Sequence, residues 1–399
     1  MSGISDQYSN SRVALIIFSL AIGGFGIGIG EFALMGLMPL VSSDLSVSEP
    51  QVGHLVSIYA LGVVVGAPLC ALVGAKFSRK NLLISLMVFY SVSNAAIALV
   101  EGYEMLLVFR FVAGLPHGAF FGIAALLSAS LVNKNMRAKA VSFTMMGLTL
   151  ALLIGNPLAS LIAQNLHWRY VFAFISVNAL ITVLLIYFSL PIVKGGSKSG
   201  ALSEVRSFNN PAIWYPLAIG SIGFAGMFCV LSYLAPTLLN VTNVSPIWIP
   251  IVLFVFGLGG FLGNILGGWL FDRLNFYSIG WILFASVCIL LIFPVASSSL
   301  FSMLLICFSV GLMVALAPAL QTHLMDVAVG AQSLAAASHQ AAFNLANALG
   351  PWFGGIAIGM GFGWESTGYV GAATAAAGLV LFFMGLRYRS KMDQAFAPG

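Results

Sequence analysis

Charge is what this chain has least of. Its 399 residues include 16 Lys and Arg and 11 Asp and Glu, together 7%, against 60% hydrophobic residues. Soluble domains carry about 25% charged residues, so the balance excludes a soluble globular protein and indicates an integral membrane protein. The net charge of +5 is no nucleic-acid signal, because the basic residues sit in short loops between apolar stretches. Cysteine is also scarce. Cys70, Cys229, Cys288 and Cys307 all fall in apolar segments and form no C-x-x-C pair, which excludes a disulfide framework and a thiolate metal site. There is no H-E-x-x-H, no G-x-S-x-G and no G-x-x-x-x-G-K-[ST], so neither an enzyme nor an ATP-driven pump is expected, and no metal or organic cofactor. A cleavable signal peptide is not expected either. The first apolar run is too long for an h-region, and no small-residue cleavage site follows it.

What is there is a succession of long apolar runs. Twelve can be marked, at 13–40, 51–74, 81–100, 104–131, 138–163, 169–190, 212–239, 247–270, 277–296, 300–325, 333–359 and 366–387. Runs this long and uniformly apolar predict membrane-spanning helices rather than barrel strands. The expected fold class is an all-α membrane protein of twelve transmembrane helices in two six-helix bundles. Orientation follows from the basic residues. With the N-terminus in the cytoplasm, the inner loops and tail hold Lys76, Arg79, Lys80, Lys134, Arg137, Lys139, Lys194, Lys198, Arg206, Arg273, Arg387, Arg389 and Lys391. The outer loops then hold Arg169 against Asp44, Glu49, Glu101 and Glu365. Both termini are expected in the cytoplasm.

The longest connection, Pro191–Pro211, contains KGGSKSG and reads as a flexible cytoplasmic linker. It separates an N-terminal bundle (1–190) from a C-terminal one (212–399), with the linker at 191–211. The halves echo each other. Ala75 in ALVGAKFSRK aligns with Asp272 in GWLFDR at an offset of 272 − 75 = 197. Pro157 in the fifth span aligns with Pro351 in the eleventh at 351 − 157 = 194. Two landmarks at similar offsets argue an internal six-helix repeat.

One acid interrupts the first run, Glu31 in Val13–Leu40. A charged residue at the centre of a spanning helix costs about 2.5–3.5 kcal/mol on insertion scales, which makes it a functional candidate by default. Desolvation disfavours the charged carboxyl and a nearby cation favours it, so its proton affinity depends on its surroundings. A structural Glu bonded to a neighbouring helix is the alternative. Arg110, in the fourth span, sits at similar depth from the outer end, and His117 is seven residues on, on the same helical face beyond Gly114. A packing cation and a packing His are the alternatives for these two. At an average offset of about 195 the second half places Gly226 opposite Glu31, and Ile306 or its neighbours opposite Arg110, and so lacks a comparable acid or base. It offers instead Phe224, Phe228 and Tyr233, then Gln321 and His323, then His339, Gln340, Asn344 and Asn347. Apolar walls with a few polar groups suit a ligand cavity. Packing is the alternative for the aromatics.

Several strings carry a family resemblance over essentially the whole chain. Lys76, Arg79 and Lys80 match the basic end of a G-x-x-x-D-R-x-G-R-R loop, which departs at Ala71 and Ala75; Gly268, Asp272 and Arg273 keep its second copy. Leu106 to Gly114 matches L-x-x-x-R-x-x-x-G through Arg110. Gly155-Asn156-Pro157 is a degenerate form of the G-P-x-x-G-G motif, and Gly350-Pro351 to Gly355 is the complete one. Gly30-Glu31-Phe32, Tyr59-Ala60-Leu61-Gly62 and Pro116-His117-Gly118 complete the set. The sequence thus resembles the major facilitator superfamily, in its twelve-helix drug:H+ antiporter branch and near the sugar- and arabinose-efflux proteins. The resemblance implies proton-coupled efflux of sugar-like solutes or drugs such as amphenicols by alternating access. Glu31, Arg110 and His117 would couple protons, and Phe224, Phe228, Tyr233, His339, Asn344 and Asn347 would bind substrate. Lys76, Arg79, Lys80, Gly155, Pro157, Asp272, Arg273, Gly350 and Pro351 would gate. Expected partners are the small-molecule substrate and the lipid bilayer of an inner membrane, with protons as coupling ion and the chain a monomer. A facilitator or importer of a neutral solute in the same fold is the competing reading.

Overall fold

The computed structural model of the protein describes residues 9–74, 78–133, 136–190, 211–328 and 332–395. The linker expected at 191–211 lies outside these except for Pro211, as do Lys76, Lys134, Lys194, Lys198 and Arg206. All regular structure among the described residues is helical. In chain order the helices are α1 (Asn10–Leu45), α2 (Glu49–Gly74), α3 (Arg79–Leu99), α4 (Tyr103–Ser130), α5 (Arg137–Leu150), α6 (Asn156–Asn165) and α7 (Trp168–Ser189). There follow α8 (Pro211–Ala218), α9 (Ala225–Ser232), α10 (Leu234–Asn240), α11 (Trp248–Leu274) and α12 (Tyr277–Ala296). The last are α13 (Leu300–Leu312), α14 (Leu316–Val327), α15 (Gln332–Gly359) and α16 (Ser366–Ala395).

Serines start several of these helices by taking an orphan amide. Ser9 Oγ accepts from Arg12 N, Ser78 Oγ from Asn81 N and Ser299 Oγ from Ser302 N. Helix α1 stops at Ser46, whose left-handed backbone returns its N–H to Ser42 O. Three expected spans are interrupted rather than uniform. A π turn, Ala151–Gly155, joins α5 to α6; a second, Ile219–Gly223, joins α8 to α9; a 3₁₀ turn, Met313–Ala315, joins α13 to α14. Pro157 accounts for the first. It has no N–H to return to the turn before it, and the wider turn accommodates the loss.

Among the described residues, eleven helical stretches are long and apolar enough to cross a membrane. The twelfth expected span is helical as α15, but it is not one of the eleven. Asn344, Asn347 and the glycines at 350, 354 and 355 dilute its apolarity. Large apolar side chains such as Phe188, Val295 and Phe301 are exposed, as lipid-facing surfaces require.

The chain divides into two compact units. The first comprises Met1–Ser48, Ile58–Ser197 and Ile249–Phe254; the second comprises Glu49–Ser57, Lys198–Trp248 and Val255–Gly399. In the first unit α1 packs on α5 and α7, and α3 packs on α4 and α7. In the second, α9 packs on α15 and α16, and α12 packs on α13 and α16.

Close backbone contacts reveal the repeat at residue level. In the first unit a Cβ added to Gly62 or Gly66 would strike the carbonyls of Phe111 or Leu115, and one on Gly114 would strike Tyr59 O. In the second, Gly259 and Gly263 meet Phe308 and Leu312, and Gly311 meets Phe256 O. Every pair is offset by 197 (256 − 59, 308 − 111, 311 − 114). The α1–α5 contact repeats at a different offset: Gly147 faces Ala21 O and Phe25 N, and Gly350 faces Ala225 O and Cys229 N, giving 350 − 147 = 203 and 229 − 25 = 204. This corrects the proline landmark. The counterpart of Gly350 is Gly147, not the Gly155–Pro157 string, because matching strings need not be matching contacts. It also corrects the position opposite Glu31, where 31 + 204 gives Ala235 rather than Gly226, and it narrows Ile306 or its neighbours opposite Arg110 to Cys307, at 110 + 197.

Candidate functional site

Glu31 lies in the glycine-rich middle of α1, fully buried. Gly30 precedes it. A Cβ there would collide with the Tyr90 hydroxyl of α3, so glycine lets α3 reach α1 at this level. Tyr90 Oη donates to the carbonyls of Gly26 and Ile27 at 3.5 and 3.4 Å. The Gly30 carbonyl accepts from Arg110 Nη1 at 2.7 Å. Arg110 is completely enclosed, and it is the largest fully buried side chain of the molecule's described part. It bonds a backbone carbonyl, as a packing cation does, and it also interacts electrostatically with Glu31.

One face of α4 carries Arg110, Gly114 and His117 in turn. The room left by Gly114 is filled by the α2 backbone at Tyr59 and Val63, and the Tyr59 side chain enters between the two polar residues. The Arg110 Cζ sits 4.2 Å from the Tyr59 ring centroid, within cation–π distance. Tyr59 Oη lies 3.1 Å from His117 Nδ1. The far nitrogen, Nε2, is 3.9 Å from Glu31 Oε2. The His117 ring also meets Phe121 at 5.3 Å between centroids. Glu31, Tyr59, Arg110 and His117 are all 0% exposed. Four helices thus bring one carboxyl, one guanidinium, one imidazole and two phenols together. Such a group sets two opposed influences on the carboxyl: enclosure favours the protonated acid, and the neighbouring guanidinium favours the carboxylate.

The residues expected at a substrate site all lie in the second unit, and they divide into two groups. Phe224 and Phe228 form an aromatic trio with Phe343 of α15, at centroid distances of 5.0 to 5.6 Å. Asn344 follows on α15, fully buried. Its Nδ2 donates to Gln340 O at 3.0 Å, and its Oδ1 has no hydrogen-bond partner among the described residues. Asn347 and His339 are buried on the same helix. Tyr233 stands apart from the trio: its Oη donates to Pro351 O at 2.8 Å and its ring packs on Gly354. Gly350 likewise faces α9 backbone. The complete Gly-Pro-x-x-Gly-Gly motif is therefore a packing surface for the seventh span. The His323 ring lies tilted against Phe276, with centroids 4.4 Å apart.

Of the expected gating residues, Lys76 is outside the described residues. Arg79 Nη1 bonds Ser130 Oγ at 3.3 Å, and Lys80 Nζ bonds Tyr187 O at 2.7 Å. Gly155 closes the π turn and Pro157 opens α6. Asp272 and Arg273 are exposed, with Arg273 over the Trp269 ring at 4.3 Å.

Sequence reasoning missed Tyr59, Tyr90 and Phe343. A tyrosine deep in a spanning helix, away from the interfacial belts where tyrosine is enriched, is the signal that marks the first two. It also missed a cluster at one end of the first unit. There Asp44 Oδ2 accepts from Trp168 Nε1 at 2.9 Å and pairs with Arg169, while His167 Nε2 stands 3.5 Å from Oδ1.

Comparison with known proteins returns a consistent set. The sequence model described as Major Facilitator Superfamily matches residues 20–277. The chain is 35% identical over 372 residues to the inner membrane transport protein YdhP of Escherichia coli K12, covering 93% of this chain and 96% of that one. It is 32% identical over 376 residues to the putative transporter AraJ of the same organism, covering 94% and 95%. It is 28% identical over 386 residues to a probable sugar efflux transporter of Pasteurella multocida, covering 95% and 94%. Among solved structures, a bacterial homologue of the human lysosomal transporter Spinster, inward-facing and unoccupied, superposes with a TM-score of 0.77 at 16% identity, over 95% of this chain and 98% of that one. At that identity the likeness speaks to the fold alone.

Proposed function

The chain belongs to the major facilitator superfamily, and from that premise we propose that it is a proton-coupled exporter of small, sugar-like solutes. It is a multi-pass membrane transporter. The finer reading is of twelve spans with both termini in the cytoplasm of a bacterial inner membrane, working as a monomer, with protons as its coupling ion, no other cofactor and no catalytic activity of its own.

One observation carries the coupling proposal: a fully buried carboxyl, Glu31, beside Arg110 and within 3.9 Å of His117 Nε2. A buried ion pair adds little net stability. Intramembrane ionisable residues mark ion and substrate pathways. In the cycle we infer, Glu31 takes a proton from the outer side and releases it inward, and substrate moves outward while the carboxyl is charged. Phe224, Phe228 and Phe343 would supply an apolar wall for substrate, and Asn344, whose Oδ1 is open to a donor, would supply a polar contact. His339 and Asn347 would line the same region. Tyr233, committed to Pro351, would hold the helices in place, as would Gly350 and Pro351. The name of the Pasteurella relative favours sugars among the solutes.

Reconstituted vesicles under an imposed pH gradient test this. Substrate movement against its own gradient should follow the proton gradient in the native protein, and should vanish in Glu31→Gln while downhill exchange persists. If Glu31→Gln retains full gradient-driven transport, the facilitator reading replaces this one.

A further inference from the structure

His117 has two nitrogens with two different neighbours, and that asymmetry decides which one carries the hydrogen. Nδ1 faces the Tyr59 hydroxyl at 3.1 Å, and Nε2 faces Glu31 Oε2 at 3.9 Å. Suppose Nδ1 carried the hydrogen. Tyr59 Oη would then accept, and the bare lone pair of Nε2 would face a carboxylate oxygen at 3.9 Å, too close for a water to stand between them. Suppose instead that the phenol donates to Nδ1. Nε2 then carries the N–H, 3.9 Å from Glu31 Oε2, close enough for electrostatic attraction to a carboxylate although longer than a hydrogen bond. The Arg110 cation 4.2 Å from the ring centroid draws electron density from the phenol and makes its O–H the better donor.

The second unit shows what the helix crossing needs by itself. The same α2–α4 contact recurs there as α11 against α13, and position 59 corresponds to Phe256, 110 to Cys307 and 117 to Val314, each 197 residues on. A phenyl ring serves that crossing without any hydroxyl, guanidinium or imidazole. The Tyr59 hydroxyl is therefore extra to packing, and it appears in the unit that also has the carboxyl.

We propose that Tyr59 is a positioning residue of the proton site: its hydroxyl donates to Nδ1 of His117, fixes the neutral imidazole as the Nε2–H tautomer, and so keeps a hydrogen-bond donor turned toward Glu31. The functional part rests on reading Glu31 as the proton carrier. An Nε2 already holding a hydrogen cannot take one from the protonated carboxyl, so the proton stays on Glu31 until the site changes shape. The groups facing His117 are Glu31 from α1, Tyr59 from α2 and Arg110 from its own helix. Tyr90 of α3 hydrogen-bonds Tyr59 and is the other acceptor open to that hydroxyl; a Tyr59 hydrogen spent there would leave Nδ1 protonated, which the spectrum below reads.

The test is nitrogen NMR of histidine-labelled protein in lipid nanodiscs, with His117→Gln used to assign the His117 signals among the five histidines. Native protein should show His117 with Nδ1 unprotonated and Nε2 protonated. Tyr59→Phe, which installs the residue found at 256, should stay folded and monodisperse and give a tautomer mixture. In vesicles its gradient-driven transport is read as a function of pH. The pH midpoint of that transport should move upward by roughly half to one unit, the worth of one hydrogen bond to the carboxylate's partner. A native spectrum with Nδ1 protonated, or a Tyr59→Phe spectrum identical to native, overturns the proposal. The spectrum decides Tyr59 by itself, whereas failure of the proton-carrier reading shows as gradient-driven transport in Glu31→Gln.

Discussion

Arg110 is held by two different contacts, a hydrogen bond from Nη1 to Gly30 O and a ring face from Tyr59. Both use the planar guanidinium, which a lysine ammonium does not reproduce. Arg110→Lys should therefore give a folded protein with severely reduced gradient-driven transport, measured in the same vesicles. Arg110→Gln goes further, leaving a buried carboxylate without its cation, a loss of about 3–5 kcal/mol in buried pairs. It should lower the apparent unfolding temperature in detergent, and Arg110→Gln combined with Glu31→Gln should recover much of that loss. Glu31, Arg110 and His117 were legible in the sequence because a polar residue stands out in an apolar run. Tyr59 stood out only as part of the Tyr59-Ala60-Leu61-Gly62 string, and its place beside His117 was not legible until its hydroxyl was placed. Nor was Asp44 with Trp168 and Arg169, a pairing of the end of α1 with the start of α7, 124 positions apart for Trp168, that no local pattern announces.

At the scale of the helix, glycine content and glycine function separate. Gly62 and Gly259 each sit where a Cβ would run into a carbonyl of the crossing helix, Phe111 and Phe308 respectively. Gly122 and Gly268 have nothing within 4 Å of the same added atom. Alanine at 62 or 259 should destabilise by about 1–3 kcal/mol, as overpacking does. Alanine at 122 should be neutral or mildly stabilising, because glycine in a helix interior is worse than alanine by up to about 1 kcal/mol. Apparent unfolding temperatures of the three variants check this ordering. From sequence, Gly259, Gly263, Gly267 and Gly268 looked alike. Periodicity finds the helix, but only the neighbour's position tells which glycine is under contact. The interrupted fifth, seventh and tenth spans were unreadable for a similar reason. A π turn changes one hydrogen-bond ring and leaves the apolar composition as it was, although Pro157 did mark where the first would be.

At the scale of the whole chain, the six-helix repeat was visible in two motifs, and one of its two offsets, 197, survives as a physical register of contacts. The second offset failed because α15 and the fifth span carry different Gly-Pro strings on equivalent packing surfaces. The repeat explains how one protein holds two kinds of interior. Both units keep the same glycine crossings. The first fills the space around its crossing with Tyr59, Arg110 and His117, and the second with Phe256, Cys307 and Val314. A transplant tests the division: Phe256→Tyr should leave the pH dependence of transport unchanged but lower the apparent unfolding temperature, because no imidazole stands at 314 to receive the buried hydroxyl, a cost of about 1–3 kcal/mol.

The buried cluster also bears on how the protein is made. The ribosome delivers the carboxyl of α1 long before its neighbours, for Arg110 trails Gly30 by 80 positions and His117 emerges later still. During that interval α1 has no cation to offset Glu31 in hydrocarbon. The nascent segment either enters lipid with a protonated acid or lingers at the insertion machinery until α4 is synthesised. Ionisation at position 31 then becomes affordable once α2, α3 and α4 have gathered around α1, so a chain with a charged site is one whose early helices have already found each other.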